Sequence, residues 1–364
     1  MYQDDFLQLS LNERIANDAL RALRLPEGKV DFCSNDYLGI ATNRLIGTEA
    51  TGFHPGSAGS RLLAGNTALA ELAEKEIAAF HHADAALLFN SGYDANLGLL
   101  SSVPKKGDTV IYDQLSHASI RDGIRLSFAH SFSFIHNDTA DLEKKLQHAS
   151  GNLFVVTESV FSMDGDTCPL EEIIALCERY GAHLMVDEAH ATGIIGEKGA
   201  GLVQLHGLEE KVFARVHTFG KACGCHGAVV LGSKRLRSYL VNFARSLIYS
   251  TALPEHALET IRESYRLFPS MASERKKLNE LIGLFHDLPF NCEVLPSATP
   301  IQALVIPGND AVRKAAAALQ AGGLDIRPIL YPTVPRNRER LRIILHAFNR
   351  AEDVKRIAEL LHTV

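Results

Sequence analysis

Leu153-Phe154-Val155-Val156-Thr157-Glu158, then a helical pattern over 170–180, then His183-Leu184-Met185-Val186-Asp187 is the stretch that decides the fold. Each apolar run has the length of a buried strand and ends on a carboxylate. A helix between two such strands is a crossover, and crossovers are right-handed and build parallel sheets covered on both faces. The same rhythm runs outward from there. Toward the N-terminus, Ala85–Phe89, Thr109–Asp113 and Phe132–Ile135 read as strands, with helices over 94–102, from Ser116-His117-Ala118-Ser119 onward, and over 139–149. Toward the C-terminus, Val212–Val216 and Ala228–Leu231 are strands on either side of Lys221. The expected fold class is α/β, with a mostly parallel sheet in a large domain.

The remaining segments frame that sheet. Residues 1–25 read as one amphipathic helix with Leu7, Leu11, Ile15, Ala19, Leu20 and Leu23 on a face, ended by Pro26-Glu27-Gly28. A glycine-rich loop over 52–66 and a helix over 67–82 follow, and His81-His82 at that helix end reads as solvated. A long helix over 254–286 leads to Pro289, Pro296 and Pro300. Beyond it, strands at 302–306, 325–328 and 340–345 with helices at 310–321 and 351–362 form a smaller α+β unit. The expected domains are an N-terminal segment 1–45, a large domain 46–265 and a small C-terminal domain 266–364.

Composition narrows the function classes. The chain has 364 residues, 46% hydrophobic and 22% charged, which is ordinary for a globular protein. Its formal charge of −6, with no basic block, argues against a nucleic-acid surface. No apolar run approaches the ~18 residues that span a bilayer, so no membrane role is expected. Asp4, Asp5, Glu13 and Asp18 do not read as a signal peptide. The six cysteines are scattered without a C-x-x-C, which fits reduced thiols and a cytoplasmic location. Cys223-x-Cys225 lacks a second pair, and no metal site is expected.

Ligands of open parallel sheets sit at the carboxyl ends of the strands. Those ends hold Gly92 and Tyr93, His117, Glu158 to Ser162, Asp187 with His190, and Thr218 with Lys221. Each alone has a plain structural alternative. Asp187 can cap a helix, His117 can be a satisfied polar residue, and Lys221 can snorkel from a strand end to water. Their coincidence at one edge is what carries weight. Asp187-Glu188-Ala189-His190 spells a helicase box, but Gly28-Lys29 and Gly220-Lys221 are followed by valine and alanine, so the phosphate-binding loop is missing. A lysine that attacks carbonyls, a carboxylate, imidazoles and a helix start for a phosphate together suit pyridoxal phosphate.

With these segments assembled, the chain resembles the α-oxoamine synthases, fold-type I pyridoxal-phosphate enzymes that join an amino acid to an acyl thioester and release CO2. The resemblance rests on Ser34-Asn35-Asp36-Tyr37-Leu38-Gly39, Gly59-Ser60-Arg61, Ser91-Gly92-Tyr93, Leu115 to Ser119, Glu158 to Asp166, Val186 to His190, Thr218-Phe219-Gly220-Lys221 and Pro332-Thr333-Val334-Pro335. It implies that Lys221 forms the Schiff base and acts as base at Cα, that Asp187 pairs with the pyridinium, that His190 bonds the phenolic oxygen and that His117 stacks on the ring. It places Gly92, Tyr93, Ser162 and Thr218 on the cofactor, Asn35 and Arg342 on the amino-acid carboxylate, and Arg21 and Thr333 on the acyl substrate. Tyr249-Ser250-Thr251 resembles a segment that reaches the partner subunit's phosphate, which implies a homodimer with shared sites. The substrates implied are L-alanine and a pimeloyl thioester of coenzyme A or of an acyl carrier protein; a sister branch uses glycine and acetyl-CoA. The family often has an arginine before Pro332-Thr333, where Leu330-Tyr331 stand here, and Arg327 is a candidate replacement. A non-catalytic subunit of this fold would be marked by loss of Lys221 or Asp187, and both are present.

Overall fold

The computed structural model describes residues 3–17, 20–23, 25, 28–47 and 52–362. The chain divides into two compact units: residues 35–162 with 166–276, and residues 1–34 with 163–165 and 277–364. Boundaries at 45 and 265 do not capture this division. Val30–Asp31 pairs in parallel with Leu324–Asp325, so the N-terminal segment belongs with the C-terminal one.

The large unit is built on seven strands: β1 (Ala85–Phe89), β2 (Thr109–Asp113), β3 (His130–Phe134), β4 (Leu153–Glu158), β5 (His183–Asp187), β6 (Ala214–Thr218) and β7 (Ala228–Gly232). Their order is β1-β7-β6-β5-β4-β2-β3. All neighbours pair in parallel except β7, which runs antiparallel between β1 and β6. Lys221 therefore lies in a short connection between antiparallel neighbours, not in a crossover. The helices that pack on the sheet include α1 (Ala68–Phe80), α2 (Gly92–Ser102), α3 (Ala118–Ser127), α4 (Thr139–Gln147), α5 (Leu170–Tyr180) and α6 (Lys234–Phe243). Side chains alternate along each strand as a pleat requires. Phe154, Val156 and Met185 enter the core under α2 and α6, whereas Val155, Leu184 and Val186 enter the core under α4 and α5. Each such side chain contributes about 1.5–3 kcal/mol by burial, so the register of the sheet is strongly specified.

Two polar groups inside this unit escape a reading by hydropathy. Glu74, on the buried side of α1 and 3% exposed, accepts from Arg61 (2.7 Å), Arg237 (2.8 Å) and the Leu88 backbone N–H (3.0 Å). Arg61 of the Gly59-Ser60-Arg61 motif thus ties its loop to α1. His81 is fully buried, not solvated: its Nε2 lies 3.0 Å from the Tyr265 hydroxyl, and its ring lies 4.0 Å from that of His217. Burial pushes both imidazoles well below the usual histidine range.

The long helix expected over 254–286 is two helices, Glu255–Leu267 and Ala272–His286, around a turn at Phe268–Ser270. Pro269 has no N–H to continue the ladder and breaks it there.

The small unit carries an antiparallel sheet in the order Arg327–Ile329, Arg340–Ile344, Ile301–Val305, Glu293–Val294, with helices Asn309–Ala321 and Ala351–Leu361. The turn at Met163–Gly165 packs into this unit. The Gly165 carbonyl accepts from Ser297 (2.9 Å) and Thr299 (2.8 Å), and Asp164 is ion-paired to Arg340. A Cβ on Gly165, at φ +78°, would stand 2.2 Å from the Ile301 carbonyl, so only glycine makes this turn. The N-terminal helix is shorter than expected, Leu7–Ala16, and none of its residues is buried. Leu7, Leu11, Ile15, Leu20 and Leu23 are all exposed, so their periodicity marks no core face within this chain. Ala19, Pro26 and Glu27, also part of that expectation, lie outside the described residues. Among the described residues, no helix is long and apolar enough to cross a membrane.

Candidate active site

Register brings the first two carboxylates together. Glu158 pairs with Asp187 across β4 and β5, and Asp187 with Val216 across β5 and β6. Asp187 Oδ1 accepts the Ala189 N–H (2.9 Å), and Oδ2 accepts from Asn96 Nδ2 (2.7 Å). Glu188 turns the other way: it is fully buried and accepts the N–H groups of Leu202 (3.0 Å) and Val203 (2.8 Å). The adjacent acids therefore serve different partners, Asp187 the Asn96 amide and Glu188 the start of the Leu202–Leu205 helix.

Three residues after Asp187, His190 Nδ1 lies 2.6 Å from the hydroxyl of Tyr37, which also reaches Asn35 Oδ1 at 3.3 Å. Tyr37 is fully buried and links two of the expected site residues. His117 stands at the start of α3 with its main-chain N–H on Glu158 Oε1 (2.6 Å). Glu158 is 4% exposed, and burial, aided by the charge of Asp187, pushes its carboxyl up to about 8. Burial also lowers the His117 imidazole; Asp187 opposes that shift and the Lys221 ammonium adds to it. The charges of Lys221 and Asp187 are thus both felt at Glu158 and at His117.

The Lys221 connection is held stiffly. Phe219, fully buried with its ring edge-on to Tyr265 at 5.6 Å, bonds Gly227 O through its N–H (2.9 Å) and accepts from Cys225 N (3.1 Å). The Lys221 carbonyl accepts the Gly224 N–H (2.8 Å). All six cysteines are free, and burial raises the thiols of Cys223 and Cys225 away from the reactive thiolate.

At the start of α2, Ser91 caps the helix by accepting the Asp94 N–H (3.1 Å). The first-turn N–H groups of Gly92 and Tyr93 have no acceptor within the helix, the arrangement that suits an anion. A Cβ on Gly92 would stand 2.3 Å from Thr218 Oγ1, so glycine is what lets the hydroxyl at the end of β6 approach this backbone. Tyr93 turns its own hydroxyl to Asp122. Ser162 is half-buried in the loop after β4. Ser250 and Thr251 follow Tyr249, whose ring lies under Arg245 at 4.9 Å, and the Thr251 carbonyl accepts from Asn90 (2.9 Å), just before Ser91. A phosphate cradle at Gly92 and Thr218, a carboxylate at Asp187 and an amine at Lys221 fit pyridoxal phosphate.

The other expected residues belong to the small unit. Arg21 reaches the Thr333 hydroxyl at 3.4 Å. Arg342 is half-buried in its strand, in register with Ala303 and Arg327. Arg327 is held by Asp325 through two bonds, from Nε (3.0 Å) and Nη2 (3.1 Å). Sequence reading missed Asn96, Ser119 and the linking role of Tyr37. Asn96 had a signal: it is a lone amide in the apolar helix pattern Ala95-Asn96-Leu97-Gly98-Leu99-Leu100.

The family model for aminotransferase class I and II matches residues 27–361. The 8-amino-7-oxononanoate synthase of Emericella nidulans is 43% identical over 93% of this chain and 90% of its own length. That of Cellvibrio japonicus is 38% identical over 99% of this chain and 96% of its own. Among solved structures, a serine palmitoyltransferase from S. paucimobilis, with a bound pyridoxal phosphate–myriocin adduct, superposes with a TM-score of 0.85 at 26% identity, covering 99% of this chain and 97% of that one. An 8-amino-7-oxononanoate synthase from Francisella tularensis gives 0.75 at 27%, covering 93% and 98%. With one face of the sheet end carrying Asp187, His190, His117 and Lys221, and with relatives this similar along the whole chain, the protein belongs to the 8-amino-7-oxononanoate synthase family within the class I and II aminotransferases.

Proposed function

We propose that this chain condenses L-alanine with a pimeloyl thioester to give 8-amino-7-oxononanoate, the free thiol and CO2, a step of biotin biosynthesis. The observation that carries the reading is the gathering of Asp187, His117, Glu158 and Lys221 at one sheet edge beside the Gly92 cradle. The serine palmitoyltransferase likeness is one of fold at 26% identity, whereas the sequence likeness to the oxononanoate synthases reaches 43%, and the latter guides the choice of substrate.

Bound pyridoxal phosphate supplies an electron sink for a carbanion at the amino acid's Cα. Lys221 Nζ would hold the cofactor's aldehyde carbon and, as a free amine, would move the proton at the substrate's Cα. Asp187 sets a negative charge against the ring nitrogen and keeps it protonated. His190 would bond the phenolic oxygen, and His117 would lie against the ring. The N–H groups of Gly92 and Tyr93, with the hydroxyls of Ser162 and Thr218, hold the phosphate. Ser250 and Thr251 complete it from a second subunit of a homodimer. Asn35 and Arg342 take the amino-acid carboxylate, the planar fork of the arginine matching it in two bonds. Arg21 and Thr333 line the acyl substrate, delivered by coenzyme A or by a carrier protein. The free thiols fit a cytoplasmic location.

The test is direct. Purified protein with added cofactor is expected to show a visible absorption band that borohydride bleaches, and to release thiol from pimeloyl-CoA with L-alanine. Lys221→Ala is expected to lose the bleachable band and at least about 10²-fold in rate. Turnover with glycine and acetyl-CoA alone would transfer the chain to the sister branch.

A further inference from the structure

His117 opens α3, and its Nδ1 accepts the backbone N–H of Ser119 at 3.2 Å. A main-chain N–H can only donate, so Nδ1 carries no proton, and the neutral ring must carry its one proton on Nε2. The Ser119 hydroxyl lies 2.8 Å from the same Nδ1 and so donates to it as well. The serine oxygen in turn accepts from Asn96 Nδ2 at 3.1 Å, while the amide's other hydrogen goes to Asp187 Oδ2 at 2.7 Å. The amide cannot be turned round, because its oxygen would then face a carboxylate oxygen, acceptor against acceptor. Asn96 is 4% exposed and Ser119 fully buried, so water does not compete for these bonds. Every donor and acceptor along the chain has one consistent direction: Asn96 to Asp187 and to Ser119, then Ser119 to His117.

We infer that Asn96 and Ser119 are positioning residues that lock His117 as its Nε2–H tautomer, so that the ring offers the ligand a hydrogen-bond donor and never an acceptor. The inference rests on the reading of His117 as lying against bound cofactor and substrate. An N–H donor there meets the carboxylate of the amino acid, or the carbonyl oxygen of the thioester as it gains negative charge when the carbon–carbon bond forms. A bare ring nitrogen would repel the same oxygens. The relay also makes one hydrogen-bonded body of Asp187 and His117, two residues on different elements that must hold one flat ring between them.

The full-length protein labelled with 15N-histidine tests this, both free of cofactor and loaded with pyridoxal phosphate. His117→Gln identifies the His117 signals. The expected spectrum at neutral pH is a neutral ring protonated at Nε2 in both forms. Ser119→Ala is expected to move the Nδ1 resonance toward that of an unbonded ring nitrogen, Asn96→Leu to do so less, and Ser119→Thr to restore it. In turnover, Ser119→Ala is expected to lower kcat about tenfold while KM for the amino acid changes less than about threefold, measured below the melting transition of the variant. A proton on Nδ1 in the parent protein, or a parental Nδ1 resonance in both Ser119→Ala and Asn96→Leu, overturns the inference. A locked ring in a protein that never takes up the cofactor would sink the functional reading and leave the relay standing; a bound cofactor over an unlocked ring would sink the relay alone.

Discussion

Glu158 and Gly92 show how single residues set the chemistry of this site. Glu158 holds its proton to about 8 because it is buried beside Asp187, whereas an unfolded glutamate releases it near about 4.3. The folded state therefore binds more protons than the unfolded one between those values, and stability falls as pH rises through that window. Glu158→Gln keeps an acceptor for the His117 N–H and removes the titration. In urea denaturation of the cofactor-free protein, the variant is expected to match the parent near pH 4 and to exceed it by at least about 1 kcal/mol near pH 9. An equal difference at both pH values would show that Glu158 is ionised throughout. At Gly92 the constraint is steric. Gly92→Ala places a methyl 2.3 Å from Thr218 Oγ1, so one of the two must move, and with it the phosphate cradle proposed here. Cofactor affinity, followed by fluorescence titration, is expected to weaken at least about tenfold with the fold intact, and Thr218→Ala is expected to recover part of the loss. Wild-type affinity in Gly92→Ala would place the phosphate elsewhere.

Among the elements, the loops after β2, β3 and β4 depend on one imidazolium. His136 gives Nδ1 to Asp113 (2.9 Å) and Nε2 to Asp166 (2.7 Å), and Asn137 supports both acids through its N–H (3.0 Å) and amide (2.8 Å). Burial works against the charged ring, but the two carboxylates outweigh it and push the group up to about 10. The stabilisation is complete below about pH 6.5, where unfolded histidine is also charged, and is lost as pH rises through 10. His136→Gln is expected to cost about 1–2 kcal/mol near pH 7, the part exposure of the ring reducing the value of a charged bond, and to cost little near pH 10.5. A pH-independent gap would assign the loss to packing. Because Asp166 follows the turn after Ser162, the variant also tests whether this clamp positions the cofactor loop. None of this was readable in the chain, since His136, Asp113 and Asp166 are far apart in sequence and each is an ordinary polar residue in its own segment. What was readable followed from period. The alternation of β4 and β5 and the helical spacing of α5 gave strands and helix close to their true ends, because one buried face dictates every second or every third to fourth residue. Periodicity failed where nothing covers the face, as in Leu7–Ala16, and where a polar group is buried among partners from elsewhere, as with Glu74, His81 and Asn96.

At the scale of the whole molecule, the large unit leaves large apolar side chains exposed. Leu63 is 85% exposed and Tyr249 73% exposed, and their segments are joined where the Ala252 N–H bonds Gly59 O at 2.9 Å. In the proposed homodimer, a two-fold partner seated on this surface places the same residues of both chains at the interface. This surface carries Ser250 and Thr251, while Lys221 stands on a different connection of the fold. The two halves of one catalytic centre can thus come from two chains, and a mixing experiment separates the possibilities. A Lys221→Ala chain and a Thr251→Arg chain are each expected to be inactive alone. If the site is shared, a hybrid dimer holds one centre with both residues mutated and one with neither. Unfolding the two variants together and refolding them at equal amounts is then expected to restore about a quarter of parental activity, since half of the dimers are hybrids with one working centre of two. If Thr251 serves its own chain through the contact of its carbonyl with Asn90, both centres of the hybrid are damaged and the mixture stays inactive. With a different affinity tag on each variant, recovery of dimers that carry both tags would show that the hybrids had formed, so an inactive doubly tagged fraction assigns Thr251 to its own site and rejects the shared one.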